Sequence, residues 1–158
     1  MSFDKQKAEA SKKNLQNADL KNADLQEADL SEGILIEACL ENCNLSEADL
    51  CGTDISGANL KNARLHRTVL YRCRGKEVDF SNAVLTQANL VEANLSGANF
   101  THANLMESNI EGANLTNACF KDANLSEVNL TGVFLTNANL SGANFTNSEC
   151  IAADLVGC

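Results

Sequence analysis

The chain has 158 residues and a formal net charge of −9; it is 44% hydrophobic but only 4% aromatic, with no proline and no tryptophan. That is one domain's length, and the bias points to repetition rather than to a mixed core. No apolar run approaches the roughly 18 residues of a membrane span, and the start alternates charge where a secretory leader would turn apolar, so a cytoplasmic chain off the membrane is expected.

Residues 1–13 (MSFDKQKAEASKK) lie outside any repeat. Ser2 as an N-cap, a run of good helix formers, and Phe3 and Ala10 brought to one side predict a short capping helix over 1–13.

From Leu15 to Leu155 every fifth residue is Leu, Ile or Phe at 27 of 29 positions, the exceptions being Gly75 and Cys150. Two residues before each stands a small residue, Ala in 18 of 28 cases. The unit is therefore small, polar, large, polar, polar. A period of five suits neither standard element: on a helix each unit would rotate the apolar site by about 140°, and on a strand successive units would alternate faces. The large residues share one core only if the chain turns a corner in every unit and winds into a β-solenoid. Phe80, Phe100 and Phe120 recur every 20 residues, as do Gly112 and Gly132, so four units per turn stack the rings in one column. The core is read as these columns, with Leu25, Leu45 and Leu65 alongside Phe80, Phe100 and Phe120.

Runs such as NADLKNADLQEADL (17–30) and ANLVEANLSGANF (88–100) resemble the A(D/N)LXX units of the pentapeptide-repeat family, a type common in cyanobacteria. The resemblance covers most of the chain, and it implies an all-β fold: a right-handed quadrilateral parallel β-helix over 14–158. Some seven coils at the ordinary inter-strand spacing of about 4.8 Å would make a rod about 35 Å long.

The charge changes sign along the rod. Residues 15–54 sum to −9, 61–76 to +6 and 77–158 to −8. The basic belt, Lys61, Arg64, Arg67, Arg72, Arg74 and Lys76, would encircle a four-sided coil, with Arg67 above Glu47 and Arg74 one coil from Asp54. Within it, YRCRGKEV (71–78) breaks the pattern, because Gly75 leaves the large inward site empty. Arg72, Arg74, Gly75 and Lys76 form a candidate interaction site, where either a neighbour fills the hole or the segment bows out of the wall. At the far end Cys150, Ile151, Leu155 and Val156 are apolar with only Gly157 and Cys158 beyond them, which predicts association of two copies through the C-terminal coil.

Catalysis finds no footing. His66 and His102 fall on different sides, and the seven cysteines are odd in number, lack CxxC spacing and have no partner 20 residues away, so free thiols are expected. Neither metal nor cofactor is called for. Only Tyr71 accompanies the basic belt, too few aromatics for a nucleic-acid footprint. A non-catalytic protein-interaction scaffold is the leading reading. The resemblance also implies an alternative, since relatives that protect DNA gyrase are described as duplex-DNA mimics; here Glu27, Asp29, Glu47 and Asp49 would line adjacent columns, ending at Arg67 and Val69.

Overall fold

The computed structural model describes residues 5–158. It is a right-handed, four-sided β-helix: every bridge is parallel and joins a residue to the one 20 further on, from Asp19–Cys39 to Phe134–Asp154. Residues 19–158, 140 in number, therefore make seven coils of 20.

The unit's chemistry accounts for its path. In the unit around Leu25, the Leu25 N–H donates to Asn44 O at 2.7 Å, and Asn44 N–H donates back to Ala23 O at 3.0 Å. Ala28 N–H closes the turn onto Leu25 O at 3.0 Å, and Glu27 N–H reaches Ser46 O at 2.9 Å. The second turn residue is left-handed in every unit, with φ of 53–61° at the non-glycine positions. Most of these are Asn, which tolerates that region, or Glu, which does not favour it; the inter-coil bonds on both sides hold it there.

The middle polar residue explains why Asn and Asp recur. Its Oδ1 accepts the N–H two residues on, as Asn99 does from Thr101 at 3.0 Å, so the side chain caps the next turn. Its Nδ2 also bonds along the rod, Asn99 to Asp79 at 3.1 Å and Asn124 to Asn104 at 3.1 Å.

Leu25, Leu45, Leu65, Phe80, Phe100 and Phe120 are fully buried. The three rings stack, with centroids 5.0 Å and 4.8 Å apart. Polar residues at small positions are satisfied internally: Thr53 and Thr68 hydroxyls and the Cys43 thiol each donate to the carbonyl 23 residues back.

Two expectations change on contact with the structure. The gap over 71–78 is not in the backbone, which keeps its register; Gly75 N–H donates to Asn94 O at 2.8 Å and Arg74 bridges both Asp54 and Asn94. The other alternative at Gly75, a neighbour filling the hole, is what the structure has: a Cβ there would stand 2.7 Å from Leu95 Cδ2 and 3.1 Å from Ile55 Cγ1, because the column neighbours lean into the space. At the N terminus, helix α1 spans Lys5–Ala10 and a 3-10 turn spans Lys12–Asn14. Ser2 and Phe3 lie outside the described residues. Ala10 is exposed, and Ala8 is the residue buried against the core.

Candidate functional site

The outward walls offer three places where the repeat departs from its polar norm: the basic belt, the acidic first coils and the C-terminal coil. Each is set by which column its residues occupy.

In the belt, side chains pair along the rod. Arg72 Nε lies 2.6 Å from Glu92 Oε2, with its guanidinium 4.8 Å over the Tyr71 ring, and Arg74 Nε lies 3.1 Å from Asp54 Oδ2. Lys76 Nζ is 3.6 Å from Glu77, on its own turn. Arg67 turns away from Glu47 and donates to Gln87 at 2.8 Å, which in turn donates to Glu107 at 2.7 Å. Both acceptors were one coil distant, and side-chain direction chose between them. These contacts are exposed and individually weak, about 0–1 kcal/mol each. Those of Arg67, Arg72 and Arg74 with residues 20 away bind coil to coil, and the set converges on no point; Gly75, beneath them, faces the core.

The acidic first coils carry the anchor of the N-terminal cap. Lys12 Nζ reaches Asp29 Oδ2 at 2.8 Å, and Ser31 donates to Asp29 Oδ1 from both backbone and hydroxyl. The Lys12 ammonium, with those Ser31 bonds, holds the Asp29 carboxyl at about 2. Glu9 Oε1 accepts Asp29 N–H at 2.9 Å, Lys12 O accepts Ile34 N–H at 2.7 Å, and Lys13 Nζ donates to Glu32 O. The cap thus satisfies edge donors that an open first coil would leave bare. Sequence reasoning missed Ala8, Glu9 and Lys12, since nothing in a 6-residue helix announces which edge groups it will reach.

The C-terminal coil, 139–158, is the opposite case. Ile151, Leu155 and Val156 are 58%, 50% and 69% exposed, and Cys150 is exposed in the place of a large core residue. Leu140 and Phe145, the other two large residues of the same coil, are only partly buried. Leu140, Phe145, Cys150 and Leu155, together with Leu130, Leu135 and Ala153, line an apolar hollow of about 240 Å³ open at the end of the rod. Phe134, 51% exposed, stands on the wall beside it, paired in the ladder with Asp154. Leu140 and Phe145 could have been found by counting back one 20-residue turn from the last unit.

The seven cysteines are unpaired, with Cys43 and Cys73 buried. Burial pushes both thiols up to about 12. On the walls, Ile34 and Val84 are 36% and 38% exposed. Among the described residues no group of three or more His, Cys, Asp or Glu is placed to hold a metal, and no helix is long and apolar enough to cross a membrane.

The family model described as "Pentapeptide repeats" matches eight copies in stretches that together span residues 6–158. Similar solved structures include HetL, a pentapeptide repeat protein involved in heterocyst differentiation regulation from the cyanobacterium Nostoc sp. strain PCC 7120: 27% identity, 89% of this chain and 81% of that one, TM-score 0.44. They also include Rfr23 from the cyanobacterium Cyanothece 51142: 32% identity, 70% and 63% of the two chains, TM-score 0.40. QnrB1, a plasmid-mediated fluoroquinolone resistance protein, is 24% identical over 92% of this chain and 85% of that one, with TM-score 0.42. No curated protein sequence matches. With repeats matched from α1 to the last coil and four of them closing each turn of the helix, the chain belongs to the pentapeptide-repeat family.

Proposed function

We propose that this protein is a non-catalytic interaction scaffold that engages a protein partner through its C-terminal coil. The observation that carries the reading is the apolar hollow at the end of the rod, lined by Leu140, Phe145 and exposed Leu155, on a coil that also exposes Ile151 and Val156, in a molecule whose walls are mostly polar. The homodimer expected from the sequence would use this same face. The free thiols fit a reducing compartment and so a cytoplasmic location. Neither nucleic acid nor membrane binding draws support from the paired belt.

The test is affinity capture from the native host with the wild-type chain and with Leu155→Asp, alongside the solution mass of each. A partner, or a second copy, retained by wild type and lost by the variant is expected; an identical set of bound proteins on both would overturn the reading. The alternative, a DNA-mimic inhibitor or protector of gyrase, draws on the carboxylates of Glu27, Glu47, Asp29 and Asp49. Against it, Lys12 neutralises Asp29 and the row ends at Arg67 and Val69. Inhibition of gyrase supercoiling by micromolar purified protein would favour it, and none would leave the scaffold.

A further inference from the structure

The backbone of the rod is polar along its axis. At every interior step a unit sends two N–H donors toward the C-terminal side, from the large residue and the left-handed turn residue, and receives one, at the carbonyl of the small residue. Leu25 to Asn44, Glu27 to Ser46 and Asn44 to Ala23 are one such set. The two edges of a coil are therefore not alike: one is rich in donors, the other in acceptors.

On the last coil this leaves eight N–H groups, those of Leu140, Gly142, Phe145, Asn147, Cys150, Ala152, Leu155 and Gly157, without an acceptor among the described residues. Only four carbonyls, of Ala138, Ala143, Ser148 and Ala153, point the same way without a donor. A second copy meeting this edge head to head would set donors against donors, so at most four of each copy's eight N–H groups would find a carbonyl. Groups left unpaired in a dry contact are costly.

The complement is the underside of a first coil. In this chain that underside offers the carbonyls of Gln16, Asp19, Lys21, Asp24, Gln26, Asp29 and Ser31 and the N–H groups of Asp19 and Asp24, none with a partner among the described residues. Stacked on coil 139–158, such an edge repeats the exchange made at each interior step. In this chain the position is obstructed: Ala8 is fully buried against the core, Glu9 occupies Asp29 N–H and Lys12 O occupies Ile34 N–H.

We propose that the edge of coil 139–158 is a docking face for the acceptor-rich underside of another β-solenoid, stacked head to tail, and that α1 keeps a second copy of this chain from being that solenoid. The proposal rests on the C-terminal coil being the interaction surface and specifies what fits it. It takes the place of the head-to-head homodimer.

The chain itself supplies the probe. Ala8→Asp places a charge where the helix meets the core and should release it; Glu9→Lys with Lys12→Glu does so without loading the core, and is the variant to read if the first loses its β-helix circular dichroism. By sedimentation velocity the released variant is expected to form a ladder of species that lengthens with concentration. Wild type, whose C-terminal edge is available but whose underside is not, is expected to shorten that ladder as a chain stopper. Adding Leu155→Asp to the released variant should return it to a single chain. A folded, released variant that keeps the wild-type mass, or one that stops at a closed dimer, overturns the proposal. Partner capture lost on Leu155→Asp would still stand in that event, so the two readings fail separately.

Discussion

The two ends of this rod solve the same problem in opposite ways. At the N terminus a helix of two turns brings Ala8 onto the core, a carboxylate to one edge N–H and a carbonyl to another, and Leu15, Leu20 and Leu25 are as buried as residues in the middle of the rod. At the C terminus the same kinds of side chain, Leu140, Phe145 and Leu155, sit in the same kind of unit and stay in reach of solvent. The repeat is identical at both places, so burial here is a property of having a neighbouring coil or cap and not of the unit. Comparing the ends separates what a pentapeptide contributes from what its neighbour contributes.

The largest effects should come from the core. Phe100→Ala, in the middle of the ring stack, is expected to cost about 3–5 kcal/mol by denaturant unfolding. Phe145→Ala, chemically the same change at the open end, should cost only about 1–2 kcal/mol, because its ring is already part-exposed and no closed cavity remains. Equal losses would mean that the last coil is covered in solution.

Gly75→Leu comes next and has an unusual sign. It restores the consensus of the repeat, yet Ile55 and Leu95 already fill the site, so overpacking should destabilise the protein by about 1–3 kcal/mol. A stabilised variant would show that the position is empty after all.

A smaller effect tests the closed end. Asp29 titrates near 2 in the folded protein against 3.8 for the free side chain. Its folded pKa is depressed, so the ionised carboxyl stabilises the fold fully above 3.8 and that contribution fades as pH falls from 3.8 toward 2. Lys12→Met should weaken this part of the pH dependence of thermal stability, leaving the share that the Ser31 bonds supply, with stability at neutral pH little changed, as expected for an exposed pair. An unchanged acid profile would uncouple Lys12 from Asp29. Last, thiol labelling of the native protein should modify the exposed Cys150 and Cys158 and spare Cys43 and Cys73 until unfolding. Equal rates for the four would indicate that the interior coils open as readily as the last one.

The core was legible because a strict register names every inward residue, and the 20-residue recurrence of Phe80, Phe100 and Phe120 names the number of sides. What remained hidden depends on choices the register does not make. The site at Gly75 is closed by the reach of Ile55 and Leu95, which a pattern of letters does not specify. Arg67 had Glu47 on one side and Gln87 on the other at equal sequence distance, and rotamer direction decided for Gln87. The left-handed turn residue was concealed because Asn, Glu and Gly share it in place of an invariant glycine. The donor-rich character of the C-terminal edge is a property of backbone direction and carries no sequence signal at all.

Amide hydrogen exchange on the dilute, unassociated chain tests the contrast between the ends most directly. The account predicts that the N–H groups of Leu140, Phe145, Cys150 and Leu155 exchange fastest among the large-residue amides, while those of Leu35, Leu60 and Leu85 and the capped N–H groups of Asp29 and Ile34 are protected. Protection of the last coil equal to that of the central coils would contradict it.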